Sequence, residues 1–210
     1  MRRAEELGFH HAWFFDTQML SADPFVAMAA AAVQTTKIRL GTGVLIPSNR
    51  IAPVAANALA SLNKLAPGRI DCGVSTGFTG RRTMGLPAVK LADMAEYIRV
   101  MQALWRGDTV ETSIEGKLRK IRFMAPELGL TNTQDPIPLY IAATGPRARV
   151  LTAKLGAAWI DNVADVPRAA ATLENMRGVW TQAGRERDAL TAVAWIGGAK
   201  PRQCGAVASL

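Results

Sequence analysis

Five short segments carry residue types that can do chemistry, and each lies where an apolar run ends. Asp16-Thr17 follows HHAWFF and sets a carboxylate beside a hydroxyl. A carboxylate can hold or move a proton; a threonine hydroxyl hydrogen-bonds well but is a poor acid near neutral pH. Asp16 reads equally well as a structural cap. Gly43-Val44, with Ile46 just beyond, closes the run IRLGTGV. A glycine there lets the backbone approach a ligand, and it also suits an ordinary tight bend. Thr76-Gly77-Phe78, followed by Arg81, leaves the run RIDCGVS. Ala142-Ala143-Thr144-Gly145-Pro146-Arg147 is a small-residue turn into a helix. Helix-start N–H groups carry partial positive charge and suit a phosphate, with Arg147 or Arg149 to complete the cradle. Asp161-Asn162 ends the run AWIDN.

The elements that must position these segments alternate strand, loop and helix. Gly8 closes the helix tail AEELGF, and Asp23-Pro24 opens the helix FVAMAAAAVQTT; the first is a C-terminal glycine, the second an N-cap with proline in the first turn. Helices are expected over residues 51–65 and 91–106, from Gly145-Pro146, and from Pro167 to about Gln182. Residues 109–125 alternate around Gly116 and predict a β-hairpin. Strands are expected at 10–15, 38–44, 69–75, 139–142, 158–162 and 190–196. Short strands apolar on both faces, separated by amphipathic helices, mean a parallel sheet. A (β/α)8 TIM barrel has eight such strands, and its working residues sit at their C-terminal ends. That rule selects the five segments. The expected fold is therefore an incomplete barrel holding strands 2 to 7, with a hairpin insertion; an open doubly wound sheet is the alternative. Residues 1–196 read as one domain and 197–210 as an irregular tail.

The net charge of +8 raises nucleic-acid binding, but the basic residues are scattered, with local pairs such as Arg81-Arg82 and Arg119-Lys120. No basic helix with interleaved aromatics is present, so an anionic cofactor tail is the better use of the excess. No apolar run reaches membrane-span length. After MRRAEELGF no apolar signal-peptide core follows, so a cytoplasmic protein is expected. Cys72 and Cys204 lie far apart without a CxxC partner; Cys72 should be a buried free thiol. His10 and His11 point to opposite faces of a strand and do not form a metal pair.

Several segments together resemble one family, the luciferase-like flavin and deazaflavin oxidoreductases. AEELGFHHAWFFD resembles their first helix and second strand. KIRLGTGVLIPSNRIAPVAANALASLNKLAPGRIDCGVSTGF resembles their third strand through fourth strand. YIRVMQALWRGD resembles the helix before their hairpin insertion, and PIPLYIAATGPRARVLTAKLGAAWIDN their strand 5, phosphate turn and strand 6. The likeness is collinear over residues 1 to 196 and is greatest toward the branch using coenzyme F-420 (8-hydroxy-5-deazaflavin), such as methylenetetrahydromethanopterin reductase.

The resemblance implies an oxidoreductase moving a hydride between the deazaflavin and a small organic substrate. An FMN-dependent monooxygenase is the first alternative, and an inactive truncated fragment the second, because a barrel lacking end strands exposes its edges. The matching Gly43-Val44 peptide is often cis in the family and backs the ring, and Ile46 follows it. Asp16, Thr76, Gly77, Arg81 and Asp161 match cofactor contacts, while Ala143, Thr144, Gly145 and Arg147 match the phosphate turn. Thr17 stands where a related sugar-phosphate dehydrogenase has a histidine, and Phe78 where it has a glutamate; the second departure argues against sugar-phosphate oxidation and for an apolar substrate wall, with simple core packing as the alternative for Phe78. Family members are often dimers, so a homodimer is a candidate assembly.

Overall fold

Helix starts follow local chemistry. The Asp23 carboxylate accepts the N–H groups of Phe25 at 2.9 Å and Val26 at 3.3 Å, so α2 (Pro24–Ala32) begins where Pro24 already has a helical φ. The computed structural model describes residues 1–163 and 165–196. The tail expected at 197–210, with Cys204, lies outside them. The described residues pack as two compact units, one up to residue 140 and one from residue 141 onward.

The first unit opens with α1 (Arg2–Glu6), closed by Gly8 at φ +82°. Then come β1 (His11–Phe14), α2, β2 (Arg39–Leu45), α3 (Ala52–Leu65) and β3 (Ile70–Val74). The short α4 (Phe78–Arg82) and the long α5 (Leu91–Trp105) follow. A hairpin of β4 (Val110–Ile114) and β5 (Lys117–Ile121) pairs antiparallel in register. Its turn, Glu115-Gly116, has φ of +53° and +72°, which matches the twist of the two strands. β1 pairs parallel with β2, and β2 with β3. β6 (Leu139–Ala142) lies beside β3 and carries the division between the units. Leu40, Leu45, Ile70, Val74, Leu59, Ile98 and Met101 fill the core of this unit, each 1% exposed or less.

In the second unit, β6 leads to α6 (Pro146–Leu155), β7 (Ala158–Val163), α7 (Val166–Gln182) and β8 (Ala192–Ile196). β7 neighbours β6 and pairs parallel with β8. Ile160, Met176 and Trp180 are buried between these elements. In neither unit does the strand order double back, as a doubly wound sheet requires.

Three elements differ from expectation. Residues 78–82 are helical where a loop was expected, because Gly77 at φ +81° turns the chain sharply enough to start α4. α2 stops at Ala32, short of Thr36: the Glu5 carboxylate takes the N–H groups of Thr36, Lys37 and Ile38. β8 begins two residues late, after a 3₁₀ turn at Arg187–Ala189. Among the described residues no helix is long and apolar enough to cross a membrane.

Candidate functional site

The β2 exit departs from regular pairing. Thr42 faces Cys72 and Leu45 faces Val74, so three steps along β2 match two along β3. This is a β-bulge, a device that re-aims side chains at strand ends. The Gly43-Val44 peptide within it is cis, as the resemblance implied. Thr42 Oγ1 donates to the Gly73 carbonyl at 2.9 Å and accepts the Gly73 N–H at 3.0 Å. A Cβ on Gly73 would lie 2.2 Å from the Thr42 carbonyl oxygen and 3.3 Å from Val44 Cγ1. Only glycine fits beneath the bulge. Val44 stays half-buried while Gly43 and Leu45 are buried.

Asp16 leaves β1 and is 3% exposed. Its Oδ2 accepts the Ile46 N–H at 3.1 Å and its Oδ1 accepts from Arg50 Nη1 at 2.9 Å. Each carboxylate oxygen therefore has a partner. Arg50 also binds Asp23, which ties the start of α2 to the same point. Burial pulls the Arg50 guanidinium down, but the hydrogen bond and charge of Asp16, with Asp23, outweigh it and hold it above its ordinary value. Thr17 is half-buried, and its carbonyl accepts the N–H and the hydroxyl of Ser21, each at 3.1 Å.

The β3 exit closes against the same residues. A Cβ on Gly77 would meet Ile46 Cγ2 at 2.6 Å, and one on Gly80 would meet Ile46 Cδ1 at 2.6 Å. The Ile46 side chain thus fills the space that these two glycines leave. The Thr76 carbonyl accepts the Val89 N–H at 2.9 Å. Arg81 donates through Nε to the Pro87 carbonyl. Its side chain lines a cavity of about 610 Å³ with Pro47, Ser48, Ile51, Lys90 and Tyr97. The Tyr97 hydroxyl is buried without a hydrogen-bond partner among the described residues. Burial, with Cys72 and Asp16 adding, pushes it well above the usual phenol range. Phe78 is 63% exposed, with the Arg82 guanidinium 4.0 Å over its ring, so it is a surface residue and not core packing.

In the second unit, α6 starts at Gly145 with no side-chain cap, and the space a Cβ would take there is open. Thr144 and Arg147 are exposed. Arg149 is occupied: it donates to Asn175 at 2.7 Å and its guanidinium lies 5.5 Å from the centre of the Trp159 ring. The buried Ala143 carbonyl accepts from Trp159 Nε1 at 2.9 Å. Asp161 is buried, and its Oδ1 accepts the Asn162 N–H at 3.0 Å.

Within the first unit, then, the fold joins Asp16, Ile46, Gly77 and Arg81 around the β2 exit. Sequence reasoning passed over Gln18, Asn49 and Arg50, which bind this group together. The available signal was an arginine two residues before the helix-initiating stretch Ala52-Pro53, at a strand exit otherwise rich in apolar residues.

The luciferase-like monooxygenase family matches residues 1–197. The chain is 38% identical over 140 residues to an F-420-dependent glucose-6-phosphate dehydrogenase of Beutenbergia cavernae, covering 63% of this chain and 40% of that protein. It is 29% identical over 198 residues to the 5,10-methylenetetrahydromethanopterin reductase of Archaeoglobus fulgidus, covering 93% of this chain and 57% of that one. The solved coenzyme F-420-dependent tetrahydromethanopterin reductase of Methanopyrus kandleri superposes with a TM-score of 0.78 at 23% identity, over 91% of this chain and 59% of that one. That likeness shows the fold, the α/β architecture of the TIM-barrel luciferase-like enzymes. The chain spans about half the length of the curated relatives it matches.

Proposed function

This chain belongs to the luciferase-like monooxygenase family, and from that premise we propose that it transfers a hydride between coenzyme F-420 and a small organic substrate. The observation that carries the reading is the β2 exit: a bulge over glycine, with a half-buried valine, at the strand end where barrel enzymes work.

The residues present fit a flat ring. Val44 offers an apolar face, and the bare Cα of Gly73 leaves room for the bulge behind it. Gly43, Val44, Ile46, Thr76, Gly77 and Arg81 would hold the ring, with Asp16 fixing the Ile46 main chain. Bound deazaflavin supplies two-electron hydride chemistry, since carbon replaces the flavin nitrogen at the reacting position. Val44 would back one face of the ring, which would leave the other for substrate. The fixed backbone sets orientation. Asp16 acts by placement, holding the Ile46 N–H and pairing with Arg50. The Thr17 hydroxyl is the group for a hydrogen bond to substrate. Phe78, exposed at the start of α4, favours an apolar substrate.

The second unit offers its own fitting element. Ala143, Thr144, Gly145 and Arg147 form an uncapped helix start with open space at the glycine, suited to a phosphate. Asp161 is read as a cofactor contact of that unit. The buried free thiol of Cys72 accords with a cytoplasmic setting.

Titration of the purified chain with F-420 and with FMN, followed by absorbance and fluorescence, tests the reading. The expected result is F-420 binding at least about tenfold tighter, a difference of ~1.4 kcal/mol. An equal preference for FMN would replace it with the monooxygenase reading; binding of neither would end both.

A further inference from the structure

Three strand exits of the first unit are joined by one set of polar side chains that the ring-holding residues do not include. Arg50 Nη1 donates to Asp16 Oδ1 at 2.9 Å and Nη2 reaches Asp23, so one guanidinium spans two loops. Its Cζ lies 4.7 Å from the centre of the Phe25 ring, at the start of α2. Asn49 Nδ2 donates to the Asp16 carbonyl at 3.2 Å and to Gln18 Oε1 at 3.1 Å. Gln18 Nε2 donates on to the Gly80 carbonyl at 2.6 Å. The β1 exit is thus tied to β2 through Asn49 and Arg50, and to α4 through Gln18.

The main-chain consequence falls at Ile46. Its N–H has the Asp16 carboxylate as partner, and its side chain is wedged over Gly77 and Gly80. Ile46 stands two residues after Val44, next to Leu45, where pairing with β3 resumes, so its position bears on where Val44 sits. A buried carboxylate without a partner charge is costly, and Asp16 is buried. Arg50 supplies the compensation. A lysine would not replace it: a single ammonium cannot present two nitrogens in one plane to two carboxylates.

We propose that Arg50 is a positioning residue for the ring site, acting through Asp16 on the Ile46 main chain and the bulge before it. The inference rests on the reading of this site as a deazaflavin site, and its first readout needs no cofactor.

The experiment compares the wild-type chain with Arg50→Lys, Arg50→Met and Asp16→Asn, and with Arg106→Ala as a surface control. Amide hydrogen exchange is followed at Ile46 and, for the core, at Leu40, whose N–H is bonded to the Arg69 carbonyl at 2.8 Å. F-420 affinity is measured on the same samples. The expected result is faster exchange at Ile46, with Leu40 unchanged, and F-420 affinity lower by about tenfold or more in the Arg50 variants, the usual scale for losing a group that orients a binding residue. Arg50→Lys and Asp16→Asn keep the test alive should Arg50→Met fail to fold.

Unchanged exchange at Ile46 overturns the proposal whatever the wild type binds. Faster exchange at Ile46 and Leu40 together also overturns it, since Arg50 would then serve stability alone. Faster Ile46 exchange with undiminished affinity severs the link to the ring. A wild type that binds neither F-420 nor FMN, with Ile46 still responding to Arg50→Lys, refutes the proposed function and leaves the positioning of Ile46 by Arg50 standing.

Discussion

Thr42 and Gly73 exchange two hydrogen bonds through one hydroxyl: Thr42 Oγ1 donates to the Gly73 carbonyl at 2.9 Å and accepts the Gly73 N–H at 3.0 Å. Regular pairing between β2 and β3 fails just beyond this point, where the register shifts. A bulge leaves backbone groups without ladder partners, and buried ones need a substitute. The threonine side chain is that substitute.

Replacing Thr42 with valine keeps the volume and removes the hydroxyl, leaving a buried N–H and carbonyl unpaired. The expected loss is about 1–3 kcal/mol in urea unfolding. Thr42→Ser should keep most of the wild-type stability. Equal midpoints for the valine variant and the wild type would show that the bulge does not depend on this hydroxyl.

Gly77 and Gly85 both have positive φ, +81° and +70°, but only Gly77 has neighbours within 4 Å. Alanine at Gly85 should cost the left-handed penalty alone, about 1–2 kcal/mol. Alanine at Gly77 adds the encounter with Ile46 Cγ2 at 2.6 Å, so its loss should be the larger. Thermal melts of the two variants measure the difference directly, and Gly77→Ala is also expected to weaken ring binding while Gly85→Ala is not.

The Glu5 carboxylate accepts the main-chain N–H groups of Ile38 and Lys37, and then Thr36, which together hold it below the usual carboxylate range. A lowered folded-state value favours the folded state above the ordinary carboxylate range, and the benefit is lost as pH falls through the depressed value. Glu5→Gln should therefore melt below the wild type at pH 7, with the gap closing in strong acid. A gap that stays constant from pH 7 to about pH 2 would remove the carboxylate charge from the account.

The Cys72 thiol is fully buried, and burial first, with Asp71 adding, pushes it up to about 12. Thiolate is the reactive form, so Cys72 should resist alkylation at pH 8 in the folded chain and react on addition of denaturant. Mass spectrometry of the Cys72 peptide gives the answer; rapid native labelling would place the thiol near solvent.

The order of elements was legible because its signals are local. Asp23-Pro24, Gly145-Pro146 and Gly116 each act on residues within one turn, and strand alternation is read from neighbours two apart. The family likeness is also a property of the chain in order, and the family match spans residues 1–197. The short α4 was missed because five residues give too little periodicity to read.

The partners at the site were not legible. Ile46 finds its acceptor 30 residues away, Arg50 finds Asp16 at a separation of 34, and Thr42 meets Gly73 at 31. Such pairs depend on which strands become neighbours and in what register, and the bulge shifts that register by one residue. The sequence by itself determined which segments would be strand exits and which family they resemble. Tertiary structure decided which groups meet the Asp16 carboxylate, because only packing brings the Ile46 N–H and Arg50 to its two oxygens.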